Sequence, residues 1–107
     1  IYTISIDWPM KIFRQALAFE WDSGNRGKNF KEHKVTDQEC EEVFFDPKKK
    51  ILKDQLHSDR EERFLLLGKT KMERLLFVAF TARGDKVRVI SARDINKRER
   101  HLYEKKI

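Results

Sequence analysis

Three apolar segments separated by short polar turns dominate the second half of the chain. They span residues 63–69, 75–81 and 87–91, and residues 75–80 are apolar at both odd and even positions. A strand that is apolar at both parities is typical of the middle of a sheet that is covered on both faces. Between the last two segments, residues 83–85 read Arg-Gly-Asp, and the permissive backbone of Gly84 suits a tight hairpin. The three segments therefore predict an antiparallel meander.

The residues before the meander predict two helices. Asp22 can cap the first helix, over about residues 23–33. Thr36 and Glu39 have the spacing of a capping box at the start of the second helix. Pro47 ends this helix, because proline disfavours helical geometry in the residue that precedes it. The second helix carries an apolar stripe that we expect to face the sheet, formed by Cys40, Val43 and Phe44.

The remaining elements complete an α+β fold. A C-terminal helix is predicted over residues 97–105 with Asn96 as its N-cap, and residues 49–54 predict a short strand whose lysines suit a sheet edge. The expected architecture is an antiparallel meander packed against the two N-terminal helices, with a further helix at the C-terminus. A chain of 107 residues supports one domain, which we assign to residues 10–107.

Residues 1–9 allow two interpretations. They can be an N-terminal extension or a remnant of expression. Apolar residues also alternate with polar ones along this segment, at Tyr2, Ile4, Ile6 and Trp8, which would suit an additional edge strand.

The charge of the chain favours an anionic partner. The net charge is +6, and residues 83–107 hold nine Lys/Arg against four Asp/Glu, so almost all of the excess lies there. Solvation is the ordinary role of a charged surface. Concentration of the charge on one strand and one helix favours contact with phosphate.

Several other kinds of protein are disfavoured by the residue inventory. Cys40 is the only cysteine, so no internal disulfide can form, and a reducing compartment such as the cytoplasm is expected. His33, His57 and His101 lack the spacing of a metal site, and no cofactor motif is present. We therefore expect no metal and no cofactor. The chain has no run of eighteen apolar residues, so no membrane association is expected.

Arginines recur at the ends of the predicted strands. A guanidinium presents a planar fork of donors that matches phosphate oxygens. Arg83 and Arg88 flank one turn and should lie near each other, whereas Arg93 lies at the far end of its strand, beside either Arg74 or Arg63. The alternative is that these arginines are ordinary solvated charges or ion-pair partners.

This pattern is compatible with metal-free RNA cleavage. RNA supplies its own nucleophile, the 2′-hydroxyl, so the protein has to align it and stabilise the charge that develops on the phosphate. Side chains of the types needed for a general base and acid are available at His57, Glu61, Glu62 and Tyr103. Further RNA contacts could come from Arg88, Lys97 and Arg100 on the basic strand and helix, and from stacking on Trp21, although a tryptophan is more often a core anchor.

A series of motifs, in order along nearly the whole chain, resembles the BrnT toxins. The motifs are FEWD (19–22), KNFKEH (28–33), FDP (45–47), HSDREERFLLLG (57–68), FTARGD (80–85), RVISARD (88–94) and RERHLYE (98–104). One departure is Lys34, where the family pattern has us expect a glycine that ends the first helix.

The resemblance implies a type II toxin–antitoxin system and a RelE-like ribonuclease fold. It implies RNA cleavage that arrests translation and neutralisation by a BrnA-type antitoxin that binds DNA. The chain would meet DNA only through that complex, in which two toxins and two antitoxins associate. By motif position the resemblance assigns catalysis to Arg63, Arg83 and Arg93, and also to His57.

Two other functions stay open on the sequence. One is a nucleic-acid-binding module without catalysis. Its helix-turn-helix version is disfavoured, because the helix after Thr36 is acidic and phosphate would repel it. The other is a degenerate toxin that only binds its antitoxin.

Overall fold

The computed structural model describes residues 2–4, 18–56 and 61–105, and within them six strands form one sheet. The strands are β1 (Tyr2–Ile4), β2 (Ala18–Phe19), β3 (Lys50–Asp54), β4 (Arg63–Lys69), β5 (Leu75–Arg83) and β6 (Lys86–Asp94). The helices are α1 (Lys28–His33), α2 (Asp37–Glu42) and α3 (Lys97–Glu104), and a 3₁₀ turn, Val43–Phe45, comes directly after α2. The α+β class is as predicted.

The sheet is mixed, with the strand order β1-β3-β4-β5-β6-β2. The predicted meander is confirmed, because β3, β4, β5 and β6 pair consecutively in antiparallel fashion. β2 pairs in parallel with β6, which the sequence did not indicate. The prediction that residues 49–54 form a sheet edge is wrong, since β1 pairs antiparallel with β3 and covers it. Residues 2–4 thus form an additional edge strand, which was the second of the two interpretations of residues 1–9.

The first helix is shorter than predicted. Asp22 does not cap it, because its Oδ1 accepts a hydrogen bond from the backbone N–H of Gly24 (2.8 Å) in a turn. The helix begins only after Gly27, which is left-handed (φ 70°) and donates its N–H to both carboxylate oxygens of Asp37 at 3.1 Å. Five turn residues therefore precede the helix that the sequence placed at about residue 23.

The second helix begins as predicted, but its α-helical part ends at Glu42 and the predicted stripe residues Val43 and Phe44 lie in the 3₁₀ turn that follows. The side chain of Thr36 accepts from the N–H of Glu39, and the side chain of Glu39 accepts from the N–H of Thr36, which completes the capping box. The apolar stripe of Cys40, Val43 and Phe44 is buried in the main core. Burial of these side chains against Val78 and Phe80 of the central strand holds α2 on one side of the sheet.

The third helix lies on the other side of the sheet. Leu102 and Tyr103 pack against Leu67, Leu75 and Phe77. We refer to this side as the α3 face and to the opposite side as the α2 face. No helix in the described residues is long and apolar enough to cross a membrane.

Candidate functional site

Three side chains form a row across three neighbouring strands on the α3 face. Thr81 of β5 lies opposite Arg63 of β4 and opposite Arg88 of β6. Alternate residues of a strand share a face, and Leu65 and Ala79, two positions from Arg63 and Thr81, belong to the cluster that packs against Leu102 of α3. Directly opposed residues on one face have Cβ atoms about 5 Å apart. The row therefore places Thr81 between two guanidinium-bearing side chains.

An irregularity in the sheet puts Arg88 on this face. Val78 opposes Ala92 and Phe80 opposes Val89, all four in the main core, so β6 contributes one residue more than β5 between these pairs. Such a bulge reverses the alternation of side chains beyond it. Without it, Arg88 would share the buried face of Ala92.

The hydroxyl of Thr81 is a buried polar group in the middle of the row. Thr81 is 3% exposed, and its Oγ1 has no hydrogen-bond partner among the residues that the structure describes. A buried polar atom without a partner is uncommon in native proteins, because it loses its hydration and gains nothing in return. It lies between Arg63 and Arg88, but a ligand oxygen could reach it only after the side chains that cover it move aside.

Arg83 extends the row towards the β5–β6 turn. Its Nε donates to Oε2 of Glu61 at 2.9 Å and its Nη1 to Oε1 of Glu20 at 3.0 Å. The hydrogen bond from Arg83 holds the pKa of Glu61 below its ordinary value, and the same contact raises the pKa of Arg83. About half of the Arg83 side chain (48%) stays exposed, so its guanidinium can reach a ligand from solvent.

Arg88 is more enclosed than Arg83. Its Nη1 donates to Oδ2 of Asp22 at 2.8 Å and to Oε1 of Glu20 at 3.1 Å. The hydrogen bond from Arg88 lowers the pKa of Asp22. We call the set Arg63, Thr81, Arg83, Arg88, Glu20, Asp22 and Glu61 the arginine cluster. Its three cations balance its three carboxylates, so it is an ion-pair network and not a simple basic patch.

Arg93 lies at the opposite end of the sheet. Arg83 opposes Lys86 and Arg93 opposes Phe77, so six residues of β5, roughly 20 Å, separate the two arginines. The guanidinium of Arg93 binds both carboxylate oxygens of Glu99, at 2.9 and 2.7 Å, and lies 4.1 Å from the centre of the Phe77 ring. The structure thus brings Arg63, Arg83 and Arg88 together and places Arg93 against α3.

Arg74 also serves the fold. Its Nε donates to Oδ1 of Asp94 at 2.7 Å, and its Nη1 donates to the carbonyl oxygen of Lys34 at 2.8 Å. The end of α1 is thereby tied to the end of β6. Of the two neighbours that the sequence allowed for Arg93, the structure selects the Arg74 end of the sheet.

The other residues singled out from the sequence lie apart from the cluster. Trp21 packs against the main core, and its Nε1 donates to Oε2 of Glu41 at 2.7 Å, which is the arrangement of an anchor. Lys97 and Arg100 are exposed on α3. His57 lies outside the described residues. Three members of the cluster were not among the sequence candidates, namely Glu20, Asp22 and Thr81.

The Cys40 thiol and the Tyr103 hydroxyl are not available for chemistry at the cluster. Burial raises the pKa of the Cys40 thiol to about 12. The hydroxyl of Tyr103, one of the possible proton-transfer groups, donates to Oδ2 of Asp46 at 2.6 Å, and burial raises its pKa. Over residues 2–4, 18–56 and 61–105 the structure contains no group of three or more His, Cys, Asp or Glu side chains that could hold a metal ion.

The cluster combines groups that can bind phosphate with groups that can accept protons. Guanidinium groups bind phosphate oxygens, and carboxylates beside them can accept protons. A family model described as ribonuclease toxin, BrnT, of type II toxin–antitoxin systems matches residues 21–99. Because the match covers more than half of the chain, this protein belongs to the BrnT family of ribonuclease toxins. No curated protein matches the chain significantly.

Proposed function

We propose that the chain cleaves RNA at the arginine cluster by a metal-independent reaction, and that this cleavage arrests translation. The observation that carries the proposal is the row of Arg63, Thr81 and Arg88, in register on one face of three adjacent strands. Membership of a ribonuclease toxin family supports the reaction class. The positions of the arginines supply the phosphate-binding groups that such a reaction needs.

The row would bind the scissile phosphate. Two guanidinium groups on either side of Thr81 can donate to the non-bridging oxygens. The Thr81 hydroxyl, which has no hydrogen-bond partner among the described residues, would donate a third hydrogen bond once substrate binding uncovers it. Donors held in place by the sheet stabilise the charge that grows on the phosphorane without having to reorganise during the reaction.

Glu61 is the proposed general base. It would accept the proton of the 2′-hydroxyl while the O2′–phosphorus bond forms and the bond from phosphorus to the 5′-oxygen breaks. The leaving 5′-oxygen needs a proton from a general acid, and we propose His57, which the family resemblance assigns to catalysis, for this role. The hydrogen bond from Arg83 weakens Glu61 as a base in the free protein, because it lowers the pKa. If the phosphate draws Arg83 away, the pKa of Glu61 rises towards its ordinary value and the carboxylate becomes a better base.

The ion pairs of the cluster act as a template for the substrate. Glu20 and Asp22 hold the guanidinium of Arg88 in a fixed orientation, at 3.1 and 2.8 Å. A prealigned guanidinium loses less conformational freedom when a phosphate binds. The more exposed Arg83 can exchange its carboxylate partners for phosphate oxygens.

The remaining assigned residues would act at a distance from the row. Lys97 and Arg100, exposed on α3, are proposed to contact the RNA backbone away from the cleaved bond. Arg93 keeps the catalytic role implied by the family only if RNA also reaches the end of the sheet where Arg93 binds Glu99 of α3. Trp21 would stack on an RNA base only if its side chain gave up the hydrogen bond to Glu41.

The partner of a type II toxin is a protein antitoxin. We propose an antitoxin of the BrnA type, which covers the toxin and binds DNA on behalf of the complex. The proposed assembly contains two toxins and two antitoxins, and the proposed location is the cytoplasm.

Cleavage of a labelled RNA by the purified chain in excess chelator tests the proposal. We expect cleavage with chelator present, and no cleavage of the same oligonucleotide with 2′-deoxyribose at the cut position. A reaction that chelator stops and Mg²⁺ restores would contradict the metal-independent mechanism. RNA binding without cleavage would instead support the non-catalytic module. Growth arrest on expression, relieved by the cognate antitoxin, tests the cellular role.

A further inference from the structure

A lysine-lined groove lies at the end of the sheet opposite the arginine cluster. It occupies about 740 Å³ between the start of β3, the end of β4 and the end of α3. Five lysines contribute to its walls, namely Lys48, Lys49, Lys50, Lys69 and Lys105. Within the described part of the chain, none of the residues that the resemblance assigns to catalysis lines this groove.

Two of the five lysines serve the fold. The Nζ of Lys50 donates to the carbonyl oxygens of Leu102 (3.0 Å), Tyr103 (2.8 Å) and Lys105, and so caps the end of α3. The Nζ of Lys49 donates to the carbonyl oxygen of Asp46 at 3.3 Å. Burial lowers the pKa of Lys49. These two ammonium groups are already engaged, although their charges still contribute to the field in the groove.

The other three lysines are the ones that can bind a ligand. Lys48 and Lys105 are exposed and Lys69 is half-buried. No ion pair among the described residues involves any of these three. The carboxylate of Asp46 beside them is occupied, because it accepts from the Tyr103 hydroxyl at 2.6 Å and from the N–H of Lys69 at 2.9 Å.

The charges of the groove favour a polyanion. The described lining contains five lysines and a single carboxylate, that of Glu104. The groove is therefore strongly positive, unlike the arginine cluster, whose charges balance. Lysine ammonium groups act as point charges on flexible stems and suit a phosphate backbone without selecting a base. An acidic protein segment would also be attracted to these charges. The choice between nucleic acid and an acidic protein segment therefore depends on where the groove lies.

The position of the groove favours RNA. Arg63 and Lys69 are the two ends of β4 and, six residues apart, share the α3 face. The distance between them is roughly 20 Å, or on the order of six nucleotides at a stacked rise of about 3.4 Å per phosphate. An RNA strand bound at the arginine cluster must be longer than about six nucleotides to reach the lysines, because α3 packs on the face between them.

We propose that this groove is a second phosphate-binding subsite, which holds the backbone of the RNA substrate several nucleotides away from the cleaved bond. This inference rests on the proposed function, because it takes the arginine cluster as the point of cleavage. The subsite would raise the affinity for long RNA and leave the chemistry of the cleaved bond unchanged.

Binding of an RNA that cannot be cut provides the test. The probe is a labelled single strand of about 12 nucleotides, longer than the proposed span, with 2′-O-methyl groups throughout. Its affinity is measured between about 50 and 200 mM salt for Lys48→Gln/Lys105→Gln and for a matched pair, Lys28→Gln/Lys31→Gln on α1. Both pairs remove two exposed positive charges. Melting temperatures equal to that of the wild type ensure that folded proteins are compared.

We expect only the groove pair to lower the salt dependence. Each lost phosphate contact with a single strand reduces the slope of log K against log salt by about 0.7, so the pair should reduce it by roughly 1.4. Equal effects of the two pairs would show that net charge alone matters and would overturn the proposal. Unchanged RNA binding combined with weaker antitoxin binding would overturn it in favour of a protein-docking surface.

Cleavage kinetics separate this inference from the proposed function. A dinucleotide cannot reach the groove, so the groove pair should cleave it at the wild-type rate, while KM for long RNA rises and kcat does not change. Failure of the wild type to cleave any RNA would contradict the proposed function. The binding slopes would still report on the groove.

Discussion

Arg83 and Arg88 donate to the same carboxylate oxygen, Oε1 of Glu20, at 3.0 and 3.1 Å. Glu61 binds the far side of Arg83, and Asp22 binds the far side of Arg88. Two like charges are thus held close together by carboxylates from different parts of the chain. The arrangement joins β5 and β6 to the segment after β2 and holds two guanidinium groups side by side.

Arg83→Ala should abolish activity and leave the fold intact. The side chain is 48% exposed, and removing a surface arginine typically changes the free energy of unfolding by within about 0.5 kcal/mol. Loss of a donor that stabilises developing charge costs on the order of 100-fold in rate or more. Arg83→Lys should restore activity only in part, because an ammonium cannot bind two oxygens in the same way. RNA cleavage and thermal unfolding measure the two effects. Arg98→Ala, exposed on α3, is the matched control. Full activity of Arg83→Ala would show that the active site lies elsewhere.

Glu61→Gln should lower kcat by roughly 100-fold or more if Glu61 is the general base. The neighbouring Glu62→Gln is the control, since Glu62 makes only a partly exposed ion pair with Lys53 at 3.4 Å. The pKa of Glu61 lies below its ordinary value of 4.5. Wild-type kcat/KM should therefore fall only when the pH drops below about 4.5 and protonates the base. Titration of Glu61 by NMR should show a higher pKa in Arg83→Ala. Equal kcat for the two glutamine variants would exclude Glu61 as the base.

Arg93→Ala should reduce stability, because Arg93 joins β6 to α3 through Glu99 and Phe77. For a partly exposed pair we expect a loss of about 1 kcal/mol, visible as a fall of several degrees in Tm. Glu99→Gln removes the charge pair and keeps the capping box with Asn96, since glutamine also serves at that position. A structural role for Arg93 predicts similar Tm losses in both variants. Inactivity of Arg93→Ala alone, at wild-type stability, would support the catalytic role that the family resemblance implies.

Lys34→Gly should stabilise the protein by up to about 1 kcal/mol. Lys34 has a left-handed backbone (φ 58°) at the end of α1, and glycine adopts this conformation without strain. The guanidinium of Arg74 binds the carbonyl oxygen of Lys34, which the substitution keeps. Lys31→Gly, within the helix, should have the opposite effect of similar size. Chemical denaturation of both variants shows whether each substitution raises or lowers the free energy of unfolding. A destabilised Lys34→Gly would show that its side chain, 5.3 Å from the Phe30 ring centre, outweighs the strain.

Cys40 should be inert towards thiol reagents in the folded protein. It is fully buried, and its pKa is raised to about 12, so almost no thiolate exists near pH 8. Labelling should become fast only in denaturant, over the same range in which the fold is lost. Rapid labelling of the native protein would show that α2 opens independently of the sheet.

Local signals in the sequence predicted most elements correctly. β4 has the bounds read from its apolar run, and both capping boxes are present, at Thr36 and at Asn96. These features depend on residues within a few positions of one another, so spacing alone reveals them. The failure at Asp22 has the same origin, because helix caps and turns begin with the same residue types and differ only in the conformation of the next few residues.

The composition of the site depended on pairing between distant segments. Arg83 and Arg88 could be placed together because they flank one turn. The sequence could not show that Glu20 and Asp22 join them, since that requires the parallel pairing of β2 with β6. It also could not exclude that Arg93 lies beside Arg63, because both positions are strand ends.

The meander, the helix caps at Thr36 and Asn96 and the concentration of positive charge near the C-terminus could be read from the chain alone, because short-range patterns of polarity and backbone preference set each of them. The grouping of the arginines into one site depends instead on long-range pairing. The bulge between Val89 and Ala92 turns Arg88 towards Thr81 on the α3 face, and the register of β5 with β6 carries Arg93 away to Glu99. A bulge and a register are properties of two paired strands, fixed by how their side chains pack together, so neither strand alone encodes them.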